Sequence, residues 1–184
     1  FSDAITGSIR DMELPYAVFE VELLPVSPGA AGRDMIQFRF SATGRNAVDV
    51  SKCASGGEMS RIMLSLKSMM ARYTNMPTMI FDEIDTGISG RTAQKVSEKL
   101  NYIGRSHQVI CITHLPQIAA MADNHYRIEK SVVNGRTVTH IDHLTTEQEI
   151  NELARILGGA VITDTVLESA REMKELAGQK KKFR

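Results

Sequence analysis

Ser55-Gly56-Gly57-Glu58, followed further along by Met79-Ile80-Phe81-Asp82-Glu83, is the stretch on which the fold of this chain turns. The two glycines permit backbone conformations, and a closeness of approach, that a Cβ would obstruct. Beyond them Met59, Ile62, Met63, Leu66, Met69, Met70 and Tyr73 recur at three- and four-residue spacing, which predicts a helix with one apolar face. The start of such a helix presents backbone N–H groups without intrahelical partners and the positive end of its dipole, a ready anion site beside the Ser55 hydroxyl. The same four residues also suit an ordinary helix-entry turn, so the turn alone leaves both readings open.

The second stretch adds weight. Thr78 to Phe81 is a short apolar run between Pro77 and two acids, the pattern of a buried parallel strand. Acids at the carboxyl end of such a strand lie where open α/β sheets place their ligands. Asp82 has the oxygen chemistry that Mg²⁺ requires, directly or through water, and Glu83 can orient and deprotonate an attacking water. A strand ending in solvated acids is the simpler alternative. Gln108 to Thr113 reads as another buried strand and ends at His114, which can donate to a terminal phosphate or serve the fold. Between the two strands Ser89 to Gly104 reads as a helix, so the unit is a β-α-β crossover with parallel pairing.

Three strings in this order, Ala54 to Arg61, Ile80 to Gly90 (Ile-Phe-Asp-Glu-Ile-Asp-Thr-Gly-Ile-Ser-Gly) and Ile112 to Gln117 (Ile-Thr-His-Leu-Pro-Gln), resemble the ABC-type ATPase heads of the SMC superfamily. The likeness covers nearly the whole chain from about Met12 onward. It implies an α/β head lobe with a parallel sheet core flanked by helices and antiparallel edge strands. It further implies a signature motif at Ser55, Gly56, Gly57 and Glu58, binding the nucleotide of a partner head. Asp82 and Glu83 become the Walker B pair, with Asp82 for Mg²⁺ and Glu83 as general base; Asp85 lies in the D-loop, and His114 is the switch histidine. The cofactors implied are ATP and Mg²⁺. The partners implied are a Walker A lobe from the N-terminal part of the same protein, a second head across ATP, and DNA held by the full-length molecule during break repair and recombination.

No Gly-x-x-x-x-Gly-Lys-[Ser/Thr] loop occurs; Gly87 to Thr92 lacks both the spacing and the lysine. Residues 1–184 are therefore expected to form the C-terminal lobe of a head, without the Walker A lobe and inactive alone, and a beginning at Phe1 fits an excised piece. In the signature, Cys53-Ala54 stands where many ABC proteins carry Leu.

The flanking sequence fills in the frame. Phe1 to Glu13 reads as a helix end, a possible coiled-coil terminus, weakened by Gly7 and stopped by Pro15. Ala17 to Leu24 and Met35 to Thr43 alternate as half-buried strands, joined by a Pro25 to Asp34 loop. Pro116 opens a short helix to Ala122. Tyr126 to Val133 and Thr137 to His143 flank Asn134-Gly135, a hairpin signal. Thr146 and Glu149 suggest a capping box for a helix to Leu157, ended by Gly158-Gly159, and a last helix spans Thr165 to Ala177 before the basic tail 178–184. His140, Asp142 and His143 do not converge on a strand, where alternate residues face opposite ways.

Composition bounds the function classes. Lys plus Arg and Asp plus Glu number 22 each, so no global charge draws the chain to nucleic acid or membrane. No apolar run approaches the roughly 18 residues of a spanning helix. Two cysteines without metal spacing, Cys53 and Cys111, fit reduced thiols in a cytoplasmic protein, to which the resemblance adds a nucleoid association. Two other readings remain: a non-catalytic assembly module, and a metal-dependent hydrolase with Asp82, Glu83 and His114 as ligands.

Overall fold

The computed structural model describes residues 1–30, 32–52, 55–159 and 161–182. Cys53 and Ala54, ahead of the signature turn, and Phe183 and Arg184 of the basic tail lie outside them. The chain divides into two compact units, Phe1–Ile112 and Thr113–Arg184.

The first unit opens with helix α1 (Ser2–Arg10), then an antiparallel sheet of β1 (Val18–Gly29), β2 (Gly32–Ser41) and the two-residue β3 (Val48–Asp49). Ile5 and Ile9, one helical turn apart, are fully buried with Ala17, Phe19, Phe40 and Ile62. Burying each isoleucine contributes roughly 1.5–3 kcal/mol, which outweighs the ~1 kcal/mol that Gly7 costs the helix. The connection expected across Pro25 to Asp34 is instead mostly strand: Leu24 pairs with Met35, Pro25 with Asp34 and Gly29 with Gly32, after a register shift. Proline removes only a ladder donor, a loss that β1 tolerates at the sheet edge.

Helix α2 (Gly56–Tyr73) follows, then β4 (Thr78–Phe81), α3 (Gly90–Gly104) and β5 (Gln108–Cys111). The crossover is as expected, with β4 and β5 parallel and Thr78 to Phe81 opposite Gln108 to Cys111. Two expectations need correction. The buried residues of α2 are Gly57, Ile62, Leu64, Ser65 and Ala71, while Met63, Met70 and Tyr73 of the expected apolar face are exposed. The parallel pair is likewise buried on one face only: Met79 and Phe81 are enclosed, whereas Ile80 (58% exposed), Ile110 (45%) and Ile112 (48%) share an open face.

The second unit contains α4 (Pro116–Ala120), the hairpin β6 (Tyr126–Val133) and β7 (Arg136–His143), α5 (Thr146–Gly158) and α6 (Asp164–Lys182). Asn134 and Gly135 both take positive φ, as a two-residue hairpin turn requires. Across that hairpin Asp142 lies 3.5 Å from Arg127 in an ion pair, and the His143 ring packs on Tyr126. The capping box is shifted by one residue: Thr145 Oγ1 accepts from the Gln148 N–H, and Gln148 Oε1 accepts from the Thr145 N–H at 2.9 Å. That shift turns Glu149 inward, where it is buried and pairs with Lys174 at 3.0 Å. Helix α6 runs past Ala177 into the basic tail, and Lys181 bonds Asp123 at 2.6 Å. Leu153, Ala154, Ala170 and Ala177, with Ala119 to Met121, form this unit's core.

His125 lies beside that core with Nδ1 buried and without a hydrogen-bond partner among the described residues. Burial pushes its pKa below the ordinary 6.5; Glu149 and Glu152 oppose this and Lys174 adds to it. Because the folded chain resists protonation more than the unfolded one, His125 favours folding above the ordinary pKa, and this is lost as pH falls through the folded pKa. The urea midpoint of the second unit should therefore drop between about pH 7.5 and about pH 5, and His125→Gln should flatten the slope. A wild-type midpoint no steeper than the variant's would contradict this.

Candidate functional site

Ser55 opens α2 in an extended conformation (φ −107°, ψ 128°), and its Oγ accepts the Glu58 N–H at 3.1 Å. Its carbonyl accepts the Met59 N–H at 3.1 Å. Ser55 and Gly56 are exposed, so the positive end of α2 faces outward, while Gly57 is buried. Arg61, half-buried, fixes the back of the turn: Nε donates to the Gly57 carbonyl at 3.0 Å and a guanidinium N–H donates to the Met12 carbonyl at 3.2 Å. Burial lowers the Arg61 pKa and Glu58 partly restores it. An arginine spacing of one turn after the second glycine is the sequence signal that could have found this clamp.

Asp82 and Glu83 follow β4 directly, and both are exposed. Glu83 takes φ 55°, a left-handed conformation unusual for a residue with a Cβ. Two turns hold it there: the Thr86 N–H bonds the Glu83 carbonyl at 3.2 Å, and the Ile88 N–H bonds the Asp85 carbonyl at 3.3 Å. Asp85 is buried, 3% exposed, and partnered. Behind the strand end, Lys67 of α2 donates to the Ile80 carbonyl at 3.3 Å and lies 5.2 Å from the Phe81 ring centre.

The loop after the acids meets the start of α2 backbone to backbone. A Cβ on Gly57 would come within 2.5 Å of the Gly87 carbonyl oxygen, and one on Gly56 within 3.3 Å of the Thr86 methyl. Sequence periodicity carries no sign of this contact; the paired glycines are its only trace. Seven of the eight residues singled out in the sequence, Ser55, Gly56, Gly57, Glu58, Asp82, Glu83 and Asp85, thus lie in the first unit. His114 lies in the second, exposed, in the segment where the Leu115 N–H bonds Thr113 Oγ1 at 3.0 Å.

Among the described residues no three His, Cys, Asp or Glu side chains gather as a metal cage. A single exposed carboxylate such as Asp82 instead matches Mg²⁺, which keeps several waters and shares its remaining positions with substrate oxygens.

No family model matches the chain. It is 42% identical over 158 residues, 85% of its length, to the DNA repair protein RecN of Bacillus subtilis, and 41% identical over 178 residues, 96% of its length, to that of Deinococcus radiodurans. The chain spans 27% and 31% of the length of these two relatives. In fold it is similar to the Smc head domain with a coiled coil and joint from Pyrococcus yayanosii (TM-score 0.66, 20% identity, 83% of this chain and 28% of that one). It is also similar to an SMC ATPase described for ATP-driven dimerization and DNA-stimulated activation (TM-score 0.56, 21% identity, 84% of this chain and 92% of that one). The fold is that of an SMC head domain, as the resemblance implied.

Cys111 reports on the interior beside the acids. Burial first, then the charges of Asp85 and Asp82, push its thiol up to about 12. A thiolate is the reactive form, so Cys111 should resist iodoacetamide at about pH 8 while folded and react on denaturation. Asp85→Asn should change this little, burial being the larger cause; peptide-resolved mass spectrometry would settle it, and rapid labelling of the folded chain would contradict it.

Proposed function

We propose, from the premise that this chain is homologous to the proteins named DNA repair protein RecN and carries an SMC-head fold, that it is the signature and Walker B half of an ATP-hydrolysing head acting in DNA repair and recombination. The observation that carries this reading is the packing of the signature turn directly on the loop that follows Asp82 and Glu83. An anion-facing helix start and a pair of strand-end acids, held in one unit, are the parts that phosphoryl transfer needs: charge neutralisation and a positioned water.

In the proposed mechanism Glu83 accepts a proton from water as the water oxygen bonds the γ-phosphorus and the bond to the ADP oxygen breaks. The turns that fix Glu83 in its left-handed conformation hold that carboxylate at the strand end. Asp82 would hold Mg²⁺, which when bound neutralises charge on the phosphates. His114 would donate to the terminal phosphate. Ser55, Gly56, Gly57 and Glu58 would receive the nucleotide carried by a second head, so that two heads enclose two ATP molecules with two-fold symmetry. Asp85 would carry the state of one site towards the other. ATP thereby becomes the switch for head pairing.

The open face of Ile80, Ile110 and Ile112 supports a covering partner, which on this reading is the Walker A lobe from the N-terminal part of the same protein. Without that lobe the chain alone should not turn over ATP. DNA would be engaged by the full-length molecule, since this chain carries balanced charge. Among the described residues no helix is long and apolar enough to cross a membrane, and the proposed location is the cytoplasm, at the nucleoid.

The test is ATP turnover by this chain alone and mixed with a separately expressed Walker A lobe. Activity should appear only in the mixture and fall by about 10²-fold or more with Glu83→Gln, as removal of a general base does. A mixture that assembles and binds ATP without turnover would favour a non-catalytic assembly module, and unaltered turnover with Glu83→Gln would remove Glu83 as the base.

A further inference from the structure

Gly87 has two separate reasons to be glycine. Its φ of 71° lies in the left-handed region, and a Cβ there would stand 2.9 Å from the Gly57 nitrogen and 3.4 Å from its Cα. The contact is reciprocal: a Cβ on Gly57 would meet the Gly87 carbonyl oxygen at 2.5 Å, its carbon at 3.1 Å and Ile88 Cγ2 at 3.2 Å. Both sides are backbone, so neither can swing aside as a flexible side chain would. The turn is also pinned from behind by Arg61, through the Gly57 and Met12 carbonyls. The loop is pinned in turn by buried Asp85 and by the Thr86 N–H bond to Glu83. A displacement at this contact therefore has two outlets, the Ser55 cap and the Glu83 turn.

We infer that Gly87 is a positioning residue that seats the signature turn on the 82–88 loop, so that the anion-facing start of α2 and the Glu83 carboxylate keep one fixed relation. The inference rests on the proposed function for its consequence, and on the contact alone for its geometry. Nucleotide arriving at the signature turn of one head would then shift the Glu83 turn of that same head, where a different nucleotide is hydrolysed. No new ligand is required, only the absence of two Cβ atoms.

Gly90 supplies the control. It too has positive φ, 50°, but a Cβ there meets nothing within 4 Å. Gly90→Ala thus imposes backbone strain without the contact, and Gly87→Ala imposes both. In the full-length protein, the Glu58 and Met59 amides, which bond Ser55, should exchange hydrogen about tenfold faster with Gly87→Ala than with Gly90→Ala. Gly87→Asn, which accepts positive φ but keeps a Cβ, should behave as Gly87→Ala does. ATP-dependent association should weaken and kcat fall in the Gly87 variants relative to Gly90→Ala. Should the Gly87 variants not fold, Gly56→Ala, which presses only on the Thr86 methyl, should raise the same exchange mildly, and adding Thr86→Ser should reverse it.

Equal exchange in Gly87→Ala and Gly90→Ala, or no reversal by Thr86→Ser, would overturn the inference. Wild-type protein that fails to associate with ATP would overturn the proposed function instead, and the exchange comparison would still judge the contact.

Discussion

The first unit depends on two peptide backbones touching without side chains between them. At Gly57 and Gly87 the first turn of α2 rests on the loop that leaves β4, at a distance that admits no Cβ on either residue. Side chains adjust through rotamers, but backbone contacts transmit displacement, because both partners belong to larger rigid elements. On one side stands a helix clamped by Arg61; on the other, a strand end with an acid forced into left-handed conformation. The remaining features of the unit preserve this relation. The parallel pairing of β4 with β5 fixes the strand, and the Lys67 bond to the Ile80 carbonyl ties helix to strand.

Motif order and crossover topology were legible in the sequence because each rests on local chemistry: a glycine-rich helix start, an apolar run ending in acids, and a helix between two such runs. The Asn134-Gly135 hairpin and the Gly158-Gly159 stop were legible for the same reason. What was not legible depended on contacts made elsewhere in space. Periodicity marked α2 as helical, yet it could not tell how much of the apolar face would be covered, and Met63 and Met70 are left exposed. Prolines 25 and 28 suggested a loop, but the strands continue past Pro25 because an edge position forgives a missing donor. The cap sits at Thr145 rather than Thr146, and Glu149, freed from the capping role, pairs with Lys174, a partner far along the chain.

Of the candidate site, the sequence offered candidate residues but not their geometry. Nothing about Glu83 marks it for positive φ; the conformation is set by the turns through Thr86 and Ile88. Nor does any spacing rule join Gly57 to Gly87, which are thirty positions apart and related only through the crossover between helix and strand. The second unit illustrates the same point. Its core is built largely from alanines, which let α4, α5 and α6 approach closely; each helix was legible from local signals, their packing was not.

The one-sided burial of the parallel pair has an evolutionary consequence. Met79 and Phe81 answer to neighbours within their own unit, so replacements there must be balanced by replacements nearby. Ile80, Ile110 and Ile112 lie on the open face, where that constraint is relaxed among the described residues. A single four-residue strand is thus divided, residue by residue, between two histories. The enclosed positions should vary in step with the residues packed around them, while the open ones are free to vary independently of this unit's interior.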